Sequence, residues 1–254
     1  MVRLAAIGDL HIRSGVPAAL AESLAAVHLR ADALVVAGDI TDGGRLVEAE
    51  QAAELFRLVA IPVVAVLGNH DRRSLRRTAF RRTLERAGVA LLDGGAVTYL
   101  IGGRIGFAGV AGCGGGFWPP DGPTALPSRA LRAVSVKVRL EAARLDAALA
   151  GLDTDATVVV MHFSPTTSTL GSEPVAKYWM LGNGELGRVI DRHRVDLVIH
   201  GHAHLGNAAG RTAGGVPVRN VATSVTGGVS WHEVDNQVER RPVGPAWAVV
   251  GRGA

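Results

Sequence analysis

Hydrophobic positions in this chain gather into short continuous runs, each stopped by a glycine or a polar side chain. Residues 33–37, 61–67 and 157–161 are runs of this kind, and 2–8 and 195–199 are the same but for one charged residue near the start, Arg3 and Asp196. Extended segments that are apolar on both faces belong in the middle of a sheet covered on both sides. Residues 17–30, 45–59, 72–86, 132–150 and 185–194 read as the helices that supply the cover, the first with Leu20, Leu24 and Val27 at helical spacing. Segments 97–101 and 104–110, joined by Gly102-Gly103, predict a hairpin. Segments 216–222 and 246–250 read as closing strands, the second at a sheet edge. Two long connections remain, 111–127, rich in glycine and proline, and the stretch from 162 to 183.

The side chains that end the runs carry the chemistry. The first stops at Asp9-Leu10-His11, the second at Gly38-Asp39-Ile40-Thr41-Asp42 and the third at Gly68-Asn69-His70-Asp71. The fourth stops at His162, and the fifth at His200-Gly201-His202-Ala203-His204. Open α/β sheets build their sites at the carboxyl ends of strands, so five strands ending in Asp, Asn or His bring oxygen and nitrogen donors to one rim. Two residues apart in extended chain, Asp9 and His11 point to the same side and reach one cation; the competing reading is a turn-capping Asp beside a surface His. Asp39 can bridge two metals with its two oxygens, leaving Asp42 either to orient a neighbouring base or acid or to cap the helix at 45–59. Asn69 adds a neutral oxygen, and His70, facing away from it, is the candidate general acid. His200 reads as a hydrogen-bonded core residue.

The order D-x-H, G-D-x-x-D, G-N-H-D, a lone His after a strand, and G-H-x-H resembles the calcineurin-like metallophosphoesterases, with every block present from residue 9 to residue 204. The resemblance implies a four-layer αββα sandwich, two mixed β-sheets flanked by helices, which strand and helix alternation alone does not separate from a doubly wound sheet. It further implies one metal held by Asp9, His11, Asp39 and His204, and a second by Asp39, Asn69, His162 and His202. Asp42 matches the aspartate that in some members hydrogen-bonds the catalytic His70. Two such cations, ~3.5–4 Å apart, share and acidify a water that attacks phosphorus. Mn or Fe is expected on family grounds, with Zn also compatible with this donor set. The expected activity is hydrolysis of a small-molecule phosphomonoester or phosphodiester, a nucleotide or cyclic nucleotide among them. A metal-dependent nuclease and a non-catalytic metal-binding scaffold on the same fold are the alternatives, and no ligand position departs from the pattern as a scaffold would lead one to expect.

Composition narrows the setting. The 254 residues are 48% hydrophobic, enough for a full core and consistent with one domain over 1–254. The single Cys113 excludes an intrachain disulfide framework, and no apolar run approaches the ~20 residues of a membrane span. Residue 1 leads at once into a strand, so a cytoplasmic protein is expected. A net charge of +4 is small for this length and speaks weakly for nucleic acid. Seven arginines lie within 72–86. A solvated helix face is the favoured reading over a basic collar at the site. Aromatic residues make up only 4% of the chain, yet Phe117, Trp118, Tyr178 and Trp179 fall in the two long connections. They read equally well as a lid over the site and as anchors for the loops. Substrate identity and oligomeric state are left open.

Overall fold

The computed structural model describes residues 1–117 and 129–236. The strands are β1 (Val2–Ile7), β2 (Ala33–Ala37), β3 (Val63–Val66), β4 (Val89–Leu92), β5 (Gly95–Leu100), β6 (Arg104–Val110), β7 (Ala156–Met161), β8 (Leu197–His200), β9 (Ala209–Arg211), β10 (Pro217–Asn220) and β11 (Ser230–Val234). One sheet has the order β11-β1-β2-β3-β4 and the other β5-β6-β7-β8-β10-β9. Strands β1 to β4 are parallel, with β11 antiparallel at the β1 edge. In the second sheet β6, β7, β8 and β10 are parallel, and β5 and β9 close the two edges antiparallel.

Alternation along each strand sorts the side chains into three layers of core. Ala33, Val35 and Ala37 of β2 face Val158 and Val160 of β7 across the middle of the sandwich, together with Phe107 and Ile199. Leu34 and Val36 point the other way, onto helices α1 (Ala18–Ala25), α2 (Leu46–Arg57) and α3 (Arg77–Glu85), where Leu24, Phe56 and Phe80 are buried. Val159 and Met161 of β7 pack outward against α4 (Arg129–Ala150) and, beyond the short α5 (Tyr178–Leu181), α6 (Gly184–Ile190). The result is the expected α/β sandwich of four layers, two mixed sheets flanked by helices. Burying a Val, Leu or Phe side chain in these layers contributes roughly 1.5–3 kcal/mol.

Three short strands, β4, β9 and β11, are missing from the sequence reading; β4 is a short apolar run, Val89-Ala90-Leu91-Leu92, whereas β9 and β11 carry no such run. Strand β4 follows α3 with almost no connection. Residues of β9 are exposed or half-buried, and β11 has only Val234 fully buried. Such edge strands owe their conformation to a neighbour's hydrogen bonds, not to their own hydrophobic pattern. His232 and Glu233, which the sequence leaves without a role, belong to β11. The span 17–30 divides into α1 and a 3-10 turn at Val27–Leu29, and 72–86 into a turn at Asp71–Arg73 and then α3. The expected strand at 246–250 and Trp118 lie outside the described residues.

Candidate metal centre

At the carboxyl ends of β1, β2, β3, β7 and β8 the chain leaves each strand and enters a tight turn. The four non-glycine residues with positive φ among the described residues are Asp9 (57°), His11 (46°), Asp39 (46°) and His202 (69°). All four are sequence-predicted ligands. Asp9 and His11 therefore converge through left-handed backbone, not through the pleat of an extended strand. Such conformations cost of order 1 kcal/mol or more each and persist where the surroundings hold them, often at functional sites. Two glycines keep room for the carboxylates: a Cβ on Gly68 would lie 2.0 Å from Asp39 Oδ1, and one on Gly201 2.4 Å from Asp9 Oδ2.

The donors meet around Asp39. Its Oδ2 is 3.4 Å from His162 Nε2 and 3.9 Å from both His11 Nε2 and His70 Nε2. Asn69 Oδ1 is 3.0 Å from His162 Nε2. On the other side Asp9 Oδ1 is 2.9 Å from His204 Nε2 and 3.9 Å from His11 Nε2, and Asp9 Oδ2 accepts from the His202 amide at 2.9 Å. Asp9, His11 and His204 form one compact trio of donor atoms, and Asp39, His162 and His202 form another. Thus the seven sequence-predicted ligands lie together, with Asp39 between the two trios.

Proton placement suits metal ligation. His162 Nδ1 donates to Ala37 O at 2.9 Å, which leaves Nε2 facing the cluster. His202 Nε2 lies 3.2 Å from Met180 O. Anchoring one ring nitrogen on a carbonyl fixes the tautomer and orientation of a metal-binding histidine. Burial opposes charge on Asp39, yet the hydrogen bond and charge of His162 and the His70 amide hold its carboxyl well below the usual range. Burial likewise opposes charge on Asp9, but the His204 hydrogen bond and the charge of His162 keep it low. Burial works against the His162 imidazolium, and its pairing with Asp39 overrides this and pushes it up to about 9. The hydrogen bond to Asp9 raises His204. Burial, with the His162 charge, takes His202 down to about 3, so it stays neutral and able to bind through nitrogen.

His11 Nδ1 is buried and, among the described residues, has no hydrogen-bond partner; Asp42 Oδ1 is 3.5 Å away. It is His11 Nε2, not this nitrogen, that faces Asp9 and Asp39, and there a shared carboxylate and a mixed O/N donor set fit a pair of divalent cations. His70 sits on the rim. Its amide donates to Asp39 Oδ1 at 2.8 Å and its Nδ1 is 2.5 Å from the main-chain carbonyl of Asp42. The Asp42 carboxylate is farther, 3.7 Å from Nδ1, and forms an ion pair with Arg13 at 2.8 Å. Nor does Asp42 cap α2, whose N-cap is Arg45; Glu48 accepts from the Gly43 and Arg45 amides there.

Asp71 is the residue the motif reading passed over. It is buried and accepts from Ile40 N, Thr41 N, Thr41 Oγ1 and Gly68 N at 2.7–3.1 Å, although burial pushes its carboxyl up to about 6. One carboxylate thereby pins the loop carrying Asp39 to the loop carrying Asn69 and His70. Its place in the G-N-H-D block was the available signal. His200 is fully buried, with Nε2 2.8 Å from Thr169 Oγ1 and Nδ1 2.7 Å from Gly201 O, a core residue behind the site. In the loops, Phe117 and Tyr178 meet edge to face at 6.4 Å over Leu170, Leu181 and Ala203, which makes them anchors, while Trp179 is exposed.

The same architecture occurs in solved structures of low identity, a likeness that speaks to fold. A phosphopantetheinyl hydrolase from Mycobacterium tuberculosis superposes with a TM-score of 0.61 at 20% identity, over 86% of this chain and 88% of that one. TT1561 of Thermus thermophilus gives 0.51 at 18% identity over 86% and 88%. The purple acid phosphatase PPD1 from yellow lupin seeds gives 0.53 at 12% identity over 93% of this chain and 46% of that one. Curated proteins show no significant match. No helix among the described residues is long and apolar enough to cross a membrane. The family model for calcineurin-like phosphoesterases matches residues 2–206, most of the chain and every strand end described above, and the protein belongs to that family.

Proposed function

We propose that the protein is a dinuclear-metal phosphoesterase that hydrolyses a small-molecule phosphomonoester or phosphodiester. The observation that carries this reading is Asp39 Oδ2, which has imidazole nitrogens from three separate loops within 3.9 Å. Asp9, His11, Asp39 and His204 would hold one ion, and Asp39, Asn69, His162 and His202 the other. When bound, such a pair supplies an acidified water and positive charge for the phosphoryl oxygens. The protein's own share is preorganisation: the Asp71 clamp and the left-handed turns hold the donors in place before substrate arrives. His70, oriented through Nδ1 by the Asp42 carbonyl, presents Nε2 toward the site and donates a proton to the departing oxygen.

The test pairs metal analysis with turnover. Wild-type protein reconstituted with Mn²⁺, Fe²⁺ or Zn²⁺ should retain two ions per chain and hydrolyse p-nitrophenyl phosphate or bis(p-nitrophenyl) phosphate, and Asp39→Ala should lose both properties. A substrate panel should add nucleotides, cyclic nucleotides and, since one fold neighbour is named a phosphopantetheinyl hydrolase, a phosphopantetheine ester. Metal-loaded protein that cleaves none of these, or Asp39→Ala turning over at the wild-type rate, overturns the reading.

A further inference from the structure

Beside the metal centre lies a second cavity of about 550 Å³, within the size range of small-ligand pockets. Its lining includes Asn69, Arg73, Arg77, Lys137 and Phe163. Three of these join it to the site. Asn69 is a proposed ligand, the Arg73 guanidinium lies 3.2 Å from each ring nitrogen of His70, and the Phe163 ring is centred 4.3 Å from that of His202. A substrate bound at the cations therefore extends naturally into this space.

The cavity is strongly basic. Five cationic side chains line it, with Asp71 and Asp93 as the acidic ones. Asp71 is consumed by its four backbone and hydroxyl donors. Asp93 is shared by Arg72 at 3.1 Å, Arg144 at 3.3 Å and Arg81 at 3.5 Å. Arg77 and Lys137 have no ion-pair partner among the described residues, and both are exposed. Arg77 opens α3, whose first turn has no acidic residue and whose N-cap, Arg76, makes no side-chain cap. Cations at the positive end of a helix dipole are unfavourable, and here no local carboxylate relieves them. An anion seated between Arg77 and Lys137 would do so.

We propose that this cavity is a specificity subsite for a second anionic group of the substrate, so that the preferred substrate is an organic phosphoester bearing a further phosphate beyond the scissile one. Arg77 and Lys137 bind that distal phosphate. Phe163 packs against the organic linker between the two groups. The favoured solvated-face reading of the 72–86 arginines is thereby narrowed: Arg76, Arg82 and Arg86 are exposed outside the cavity, whereas Arg72, Arg73, Arg77 and Arg81 line it.

The inference rests on the phosphoesterase reading for its metal-bound end, and the experiment separates the two. Adenosine 5′-monophosphate and adenosine 3′,5′-bisphosphate are compared as competitive inhibitors of bis(p-nitrophenyl) phosphate turnover by the metal-loaded protein. The bisphosphate should inhibit at least about tenfold more tightly, and the ratio of the two inhibition constants should fall toward one in Arg77→Ala/Lys137→Ala. Arg77→Lys/Lys137→Arg should retain most of the ratio, and 0.5 M salt should compress it in the wild type. A wild-type ratio near one, or a ratio unchanged in the alanine pair, overturns the subsite. Should no turnover occur, the phosphoesterase reading fails by itself. The same ratio is then read by calorimetric titration of the metal-loaded protein with each nucleotide, and its loss in the alanine pair still decides the subsite.

Discussion

His162 and His232 both sit where the two sheets face each other, and their imidazoles are driven in opposite directions. His162, at the end of β7, projects from the second sheet onto Asp39 of the first, and is pushed up to about 9. His232 shares the inner face of β11 with Val234 and meets Arg219 of β10 across the gap; burial and then that arginine take it down to about 4. Burial penalises both cations. The partner's sign decides the outcome, and it differs because the carboxylates of the candidate site, Asp9 and Asp39, come from the first sheet and the side chains from the second are imidazoles alone. Neither half of the rim is comfortable by itself: the first would hold Asp9 and Asp39 in close repulsion, the second a set of desolvated rings. Joining the sheets lets each relieve the other, and it gathers His and Asp donors that could hold metal ions.

The comparison can be broken most severely at Asp39. In Asp39→Asn the His162 titration, followed by NMR in metal-free protein, should fall well below about 9, because burial is then opposed only by the Asp9 charge and the Ala37 carbonyl. On the proposed function, phosphoester hydrolysis should drop by ~10³-fold or more, because the acceptor proposed to bridge the two ions loses its charge. A His162 that still titrates near 9 would show that another group supplies the pairing. Next in size is His70→Ala, for which a kcat loss of about 10²–10⁴ with unchanged metal content is expected. Loss of metal instead would make His70 a ligand and not the acid. Asp71→Ala strips a buried acceptor from four donors and should lower unfolding free energy by about 3 kcal/mol or more, read by denaturant titration. An effect below ~1 kcal/mol would mean that the two loops hold their shape without the clamp.

The smallest effect concerns pH. His162, raised in the folded state, lends the metal-free protein stability that is complete below the unfolded value of ~6.5 and is lost as pH climbs through about 9. His232, lowered in the folded state, has the opposite sign: full stability above ~6.5, lost as pH falls toward about 4. Together these two contributions peak between, near pH 6.5. Arg219→Gln removes the lesser of the two causes, burial being the larger, and should make the acid limb of a plot of Tm against pH less steep, with the alkaline limb untouched. Equal acid sensitivity in wild type and Arg219→Gln would put the effect elsewhere.

What the amino-acid sequence determined by itself was the set of strand ends and the chemistry each one carries. Continuous apolar runs such as Leu34-Val35-Val36-Ala37 are legible because a strand buried on both faces favours apolar residues at nearly every position, and Asp39 stands out where the run stops. The D-x-H, G-D-x-x-D, G-N-H-D and G-H-x-H blocks, in their order, also pointed to the family and its two mixed sheets. Only the tertiary structure decided how the donors meet: the left-handed turns at Asp9, His11, Asp39 and His202 lie outside any local preference, and neighbouring loops hold them. It alone revealed the Asp71 clamp, since a buried acceptor is defined by donors elsewhere in the chain, here in the loop that follows β2. It also placed the Asp42 carbonyl, and not its carboxylate, against His70. The same holds for β11 and the arginines of 72–86. An edge strand takes its form from a neighbour's hydrogen bonds, and a cation's meaning depends on whether a carboxylate, water or an open cavity stands opposite it, which is a property of three-dimensional neighbours and not of chain position.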